Sequence, residues 1–493
     1  MPVRSVGFTL RLLSLAGLIL STAPVQAHSF GKIYTLPIPV WMYLYGAAAA
    51  LVVSFLVIGY FVGNPKAAER NFASRDLPRG FGLLAAPATV WSVRILSTAI
   101  LLLTLVTALM GVRNPYANFS MTLFWIVLLL GYAYWVALFG NSYSATNPWR
   151  APMRAISLLP KVNFEGRRTY PAALAYWPAV AMYLGIIWLE LLGESTPKRL
   201  GGLLLIYAVV TFAGCWIWGQ RAWFRHADFF AVFFRVLGLI APIYREQGRF
   251  RLRHPFMGLL TARCEHPSLL IFILFMLSST AYDGLHETIP WVRLFWHELL
   301  PPLKPWLGED LVRDYQTYKA AYAVYQNLGL VISPLVYLAL YALAVWAMKR
   351  ITATRLGVGE LCMIFALTLV PIAFVYHLTH YFTLLMGQGP LLIKLISDPF
   401  GYGWNLFQTA RWFGKSIIPD VGVVWHLQVA LILWGHIVSV YLAHVVALRI
   451  FPTARTAVLS QLPMLVLMVF YTAAGLWILG QPLQAGVIMP ATQ

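Results

Sequence analysis

Two histidines three residues apart, in Tyr376-His377-Leu378-Thr379-His380, are the densest local concentration of ligand and acid–base chemistry in the chain. On a helix this spacing sets both imidazoles on nearly one face, about 4.5 Å apart along the axis. Such a pair can chelate one metal ion or hydrogen-bond to neighbouring helices, and spacing alone leaves both open. His436 stands at a comparable depth in a later apolar segment and is the expected third ligand. Glu190, in Trp188-Leu189-Glu190-Leu191-Leu192, and Asp283, in Ser279-Thr280-Ala281-Tyr282-Asp283-Gly284, are carboxylates in apolar settings. There they serve as general base or ligand, although Asp283 could equally cap the turn at Gly284. His286, His426 and Tyr381 fall on the same side of the chain's apolar segments and are read as substrate-binding. His444 lies at the other end of its segment and is read as structural.

The elements that must carry these groups are membrane helices. Of the 493 residues 60% are hydrophobic and only 11% charged, and the mean hydropathy is +0.71, too high for a water-soluble core. Apolar segments long enough to cross a bilayer occur near 40–62, 88–111, 120–140, 172–193, 201–219, 267–284, 326–348, 358–386, 424–448 and 459–480. The expected fold is therefore all-α, a polytopic bundle of about ten transmembrane helices. Residues 229–243 are too short to span, carry Arg235 and precede a run of arginines, so an interfacial helix is expected there.

Ahead of the bundle, Arg4 and Arg11 flank an apolar run that ends in Val25-Gln26-Ala27, the pattern of a signal peptide cleaved after Ala27. Cleavage would leave His28 as the mature N-terminus, whose amine and imidazole form a bidentate chelate acceptable to zinc or copper. The remaining residues, 28–493, read as one helical membrane domain. With the mature N-terminus outside, the inner segments hold 22 Lys and Arg and the outer segments 11. This ratio favours a bacterial-type inner membrane with the N-terminus and the long loops 285–325 and 387–423 on the periplasmic side.

The excess of basic residues, 36 against 17 acidic ones, is thus topogenic; no nucleic-acid-binding module accompanies it. The three cysteines, Cys215, Cys264 and Cys362, are too scattered for a disulfide framework, and no CxxC occurs. No P-loop, GxSxG or HExxH is present either.

Beyond these patterns, Ala27-His28-Ser29-Phe30-Gly31, Leu36-Pro37-Ile38-Pro39-Val40-Trp41 and Tyr45-Gly46-Ala47-Ala48-Ala49-Ala50 resemble the start of bacterial integral-membrane proteins called fenitrothion hydrolases. Thr146-Asn147-Pro148-Trp149-Arg150, Ser279 to Gly284, Tyr376 to Phe382, and Gly435-His436 through Ala443-His444 extend the resemblance along nearly the whole chain. The resemblance implies hydrolysis of the P–O–aryl bond of an organophosphorus triester, a lipophilic molecule that partitions into the bilayer. A histidine-bound divalent metal, zinc or copper, would supply an activated water for that reaction. The alternative from a different class is a carrier or metal-handling permease, in which the same buried histidines and carboxylates form an ion path. A haem or quinone protein using paired histidines is a minor third reading.

Overall fold

The computed structural model describes residues 39–62, 74–308, 310, 312–412 and 417–481. The signal-peptide reading and His28 lie outside the described residues. Among the described residues, nine helices are long and apolar enough to cross a membrane. They are α1 (Val40–Phe61), α2 (Pro87–Met110), α3 (Phe119–Phe139), α5 (Pro197–Trp218), α7 (Pro267–His286), α8 (Tyr315–Thr352), α9 (Val358–Gln388), α10 (Val421–Ile450) and α11 (Ala454–Leu479). A shorter apolar helix, α4 (Trp177–Leu191), completes the set. These ten coincide with the ten apolar segments of the sequence. The chain is a polytopic helical membrane protein.

An eleventh apolar stretch behaves differently. Residues 229–243 contain a nine-residue helix, α6 (Phe229–Leu237), capped by the Asp228 carboxylate, which accepts the Ala231 N–H at 2.8 Å. Nine residues rise about 13.5 Å, far short of a bilayer. As expected, α6 does not span, but neither does it lie on a surface. Phe229, Val232, Phe233 and Phe234 are all buried against neighbouring helices. A helix apolar on nearly every face satisfies itself by burial in protein, which is why α6 enters the bundle and leaves on the same side. There a small antiparallel sheet closes the exit, in the order β1 (Arg75–Asp76), β3 (Arg249–Leu252), β2 (Ile243–Glu246).

Helix α7 is the axis of the bundle. In its most apolar window 94% of the residues are buried, and it packs on α4, α8, α9 and α11. Because lipid is as apolar as leucine, close packing rather than water exclusion holds such helices together. Gly435 shows how: α10 lies so close to α9 there that a Cβ would collide with Val375.

Prolines interrupt several spanning helices, and two of them, α9 and α8, show how the loss is repaired. Pro371 has no N–H for the carbonyl four residues earlier, and α9 tightens into a 3-10 turn over Ala366–Leu369. The neighbouring Thr368 carbonyl is taken by the Ser439 hydroxyl of α10. In α8, Pro334 frees the Leu330 carbonyl, which accepts the Ser333 hydroxyl at 3.0 Å. Helix α8 is 38 residues long, about 57 Å, nearly twice the hydrocarbon thickness. Its N-terminal turns form a second small core with Phe295 and Leu300 of the 285–325 segment, around the fully buried Tyr318.

Candidate functional site

Three helices reach the same end of the bundle and turn matching stripes towards one another. On α7 the stripe is Met276, Ser279, Thr280 and Asp283; on α4 it is Tyr183, Ile187 and Glu190; on α9 it is Ala373, His377, His380 and Tyr381. Each follows the 3–4-residue spacing of a single helix face. Leu129 of α3 and Phe233 of α6 close the space between them. The resulting chamber, lined by Tyr183, Glu190, Ser279, Thr280, His377 and Tyr381 among others, is small: about 10 Å³ is open to the centre of a water, room for roughly one molecule. A second space of the same size adjoins it between Phe233, Leu237, Met276, Phe374 and His377.

Behind the chamber wall lies the best-defined polar contact of the site. Asp283 Oδ2 is 2.9 Å from His380 Nε2 and accepts the Tyr381 hydroxyl at 2.7 Å. With the carboxylate as acceptor, the shared proton is assigned to Nε2, leaving the lone pair on Nδ1. That Nδ1 is buried and has no hydrogen-bond partner among the described residues. Tyr381 therefore joins the chamber to a carboxylate–imidazole pair. Besides His380, Asp283 lies within Coulombic reach of Glu190, His286, Glu287, His377, Tyr376 and Tyr381. Glu287, just past the end of α7, is pushed up to about 8, first by burial and then by the charge of Asp283.

The two histidines of the α9 pair serve different neighbours. His377 packs edge-on against Tyr134 and Tyr381, with ring centroids 5.8 and 4.9 Å away, and the Tyr134 hydroxyl lies 3.4 Å from its Nδ1. His380 turns to Asp283. His286 is buried against the Tyr282 ring, and neither of its nitrogens has a partner among the described residues.

His436 does not line the chamber. Its Nδ1 is 2.8 Å from the Ile432 carbonyl of its own helix, while its Nε2 is buried and has no partner among the described residues. His426 stands exposed at the start of α10, hydrogen-bonded to the Gly422 carbonyl and 3.4 Å from the Tyr43 hydroxyl. His444, at the far end of α10, meets the Val62 carbonyl at 2.9 Å and ties α10 to α1. Among the described residues no three His, Cys, Asp or Glu side chains come together so as to hold a metal ion. The expected grouping of His377, His380 and His436 about one cation is not formed here.

Thus the structure gathers Asp283, Glu190, His377, His380, His286 and Tyr381 and leaves His436 and His426 apart. It adds Tyr183, Ser279, Thr280, Tyr134 and Phe233, which residue type alone did not single out. The signal for Tyr183 and Ser279 was present as helical spacing: Tyr183 is seven residues before Glu190, and Ser279 four before Asp283. Their hydroxyls lie 3.3 Å apart, bridging α4 and α7. Tyr134 and Phe233 come from distant segments and carry no such signal.

The arrangement can hold a water beside a carboxylate and an imidazole, with a route for its proton through hydroxyls to a second acid–base pair. Comparison of the chain with protein-family models, with curated proteins and with solved structures found no match in any of the three.

Proposed function

We propose that the protein is a membrane-embedded hydrolase that cleaves lipophilic organophosphorus triesters at the P–O–aryl bond. The carrying observation is the chamber that places Glu190 and His377 in its wall and connects through Tyr381 to the Asp283–His380 pair. In this reading Glu190 takes the proton of a water confined in the chamber as its oxygen attacks phosphorus. The P–O bond to the aryl group breaks, the leaving aryloxide takes up a proton, and the products are a phenol and a dialkyl (thio)phosphate. Asp283 and His380, acting through Tyr381, hold the electrostatic setting. The substrate class comes from the resemblance to fenitrothion hydrolases; the acid–base assignment comes from the geometry.

A chamber for about one water does not admit an aryl phosphotriester. Substrate binding on this reading requires the walls to part, and the apolar rings of Phe233 and Phe374 and the side chain of Leu129 are the movable parts.

Purified protein in neutral detergent or nanodiscs is to be assayed for nitrophenol release from fenitrothion, with Glu190→Gln in parallel. Turnover by the parent and its loss in the variant support the reading. Absence of release from well-folded parent protein removes the hydrolase assignment. An arm with chelator, followed by zinc or copper, tests the metal-activated form of the mechanism, for which His377 and His380 are the proposed ligands. Activity untouched by chelation confines the chemistry to the side chains. The protein reconstituted in sealed vesicles, loaded with metal or run under a proton gradient, tests the permease alternative.

A further inference from the structure

At the opposite end of the bundle from the chamber, two arginines, Arg94 and Arg150, stand on elements that pack against each other, α2 and the short helix Arg150–Ile156, with one carboxylate, Asp228, in their surroundings. Arg94 is the eighth residue of α2, about 10 Å along the helix from its start. Its guanidinium lies 5.1 Å over the Trp91 ring and donates to the Ser144 carbonyl at 3.3 Å. Arg150 opens the short helix Arg150–Ile156 and lies 5.2 Å over the Phe224 ring. The Nε of each is buried and has no hydrogen-bond partner among the described residues. The two guanidinium groups are within Coulombic reach of each other.

No ion pair joins either arginine to an acid among the described residues. Asp228 acts on Arg150 through space while its oxygens accept the Tyr207 hydroxyl and the Ala231 N–H, each at 2.8 Å, so one carboxylate charge stands against two guanidinium charges. The platform is rigid: the Thr98 hydroxyl of α2 bonds the Pro148 carbonyl at 2.7 Å, fastening the 146–150 segment to that helix. Around it, Ile95 and Leu96 are about 60% exposed and Leu83 and Leu84 also face outward, as residues against lipid do. The segments on this side hold 22 Lys and Arg against 6 Asp and Glu.

Guanidinium donors fixed in pairs at this depth fit a tetrahedral oxyanion, which accepts two N–H bonds from one arginine and neutralises both. We propose that Arg94 and Arg150 form a binding site for a phosphoryl anion, presented by the headgroup of an acidic phospholipid or by free phosphate. The site is separate from the chamber and independent of the hydrolase reading. Two turns from the basic end of α2, the long side chain of Arg94 is within snorkelling reach of a leaflet's phosphates, and basic clefts between membrane helices are suited to such headgroups.

The test is thermal unfolding of the full-length protein in neutral detergent, titrated separately with phosphatidylglycerol, phosphatidylcholine and inorganic phosphate. Phosphatidylglycerol is expected to raise the midpoint by several degrees at concentrations where phosphatidylcholine does not. Arg94→Gln and Arg150→Gln are each expected to weaken the apparent affinity about tenfold. A shift produced by inorganic phosphate alone, and abolished by the same substitutions, assigns the site to the free anion. Equal shifts with the two lipids and none with phosphate, or full retention of the shift in both variants, overturns the proposal. Should Arg150→Gln fail to accumulate, Arg94→Gln and Arg150→Lys decide the matter, the lysine keeping the charge while losing the paired donors.

Discussion

Asp283 is the residue on which the candidate site turns, because one of its oxygens serves both His380 and Tyr381. Removing its charge by Asp283→Asn keeps the shape and loses the acceptor strength. Nitrophenol release is expected to fall by ~10²–10⁴, with membrane abundance close to that of the parent. His377→Ala and His380→Ala are expected to abolish release in the same way, and Tyr381→Phe, which deletes one hydrogen bond to a charged group, to cost about 10–100-fold. His444→Ala, whose ring bonds a carbonyl at the far end of α10, should stay within a few-fold. If the His380 variant disappears from the membrane, its imidazole supports packing and the assignment falls.

Glu287 offers a separate measurement. Its folded carboxyl stands at about 8 against an ordinary value of 4.5. Between those values the folded state therefore binds more protons than the unfolded state, and stability falls as pH rises through that window. Glu287→Gln is expected to flatten the decline of the melting midpoint between pH 5 and 8, and an unchanged slope would show that Glu287 does not titrate there.

At the scale of elements, the site depends on how closely α7 and α11 approach at Gly284, the residue after Asp283. A Cβ at that position would collide with Ile478 of α11 and come within 3.5 Å of His380 Cε1. Gly284→Ala is accordingly expected to lower stability by about 1–3 kcal/mol and to reduce activity more than abundance, because relief of the clash with Ile478 shifts α7, and Asp283 with it, relative to His380. Normal activity and melting in this variant would show that the helices relax without disturbing the pair.

The same elements show what a sequence can and cannot disclose. All ten apolar segments become helices in register with expectation, since hydropathy over a span reports directly on solubility in lipid. Helix α6 was legible as too short to cross, yet its burial was not, because an interfacial and an internal helix differ in their neighbours rather than in their own residues. Within the site, Asp283 and Glu190 stood out as charges in apolar surroundings, and His377 and His380 by their spacing. What spacing did not reveal is that a 60° offset on the helix suffices to send His377 towards α3 and His380 towards α7. The absence of His436 from the chamber has a similar origin: depth along an axis says nothing about rotation around it.

The whole molecule is electrically two-sided. The end that carries the chamber also carries the 285–325 and 387–423 loops, whereas the end with the small sheet carries twice as many Lys and Arg. Both sides are built from alternate ends of the same helices, so a single orientation fixes every loop at once. Basic segments stay on the cytoplasmic side because moving them across a membrane against its potential and its anionic inner surface is unfavourable. The chamber is thereby expected to open towards the periplasm, where a lipophilic ester in the outer leaflet would meet it. Trp306, 83% exposed in the 285–325 loop, and Leu158, 77% exposed on the basic side, are suited to test this. Cys215 and Cys362 are buried and Cys264 is half-buried, so Cys264→Ser provides a quiet background. In intact spheroplasts Trp306→Cys is expected to react with a membrane-impermeant maleimide and Leu158→Cys only after lysis. The reverse pattern would invert the orientation and put the chamber at the cytoplasmic face, where a lipophilic substrate would have to arrive through the inner leaflet.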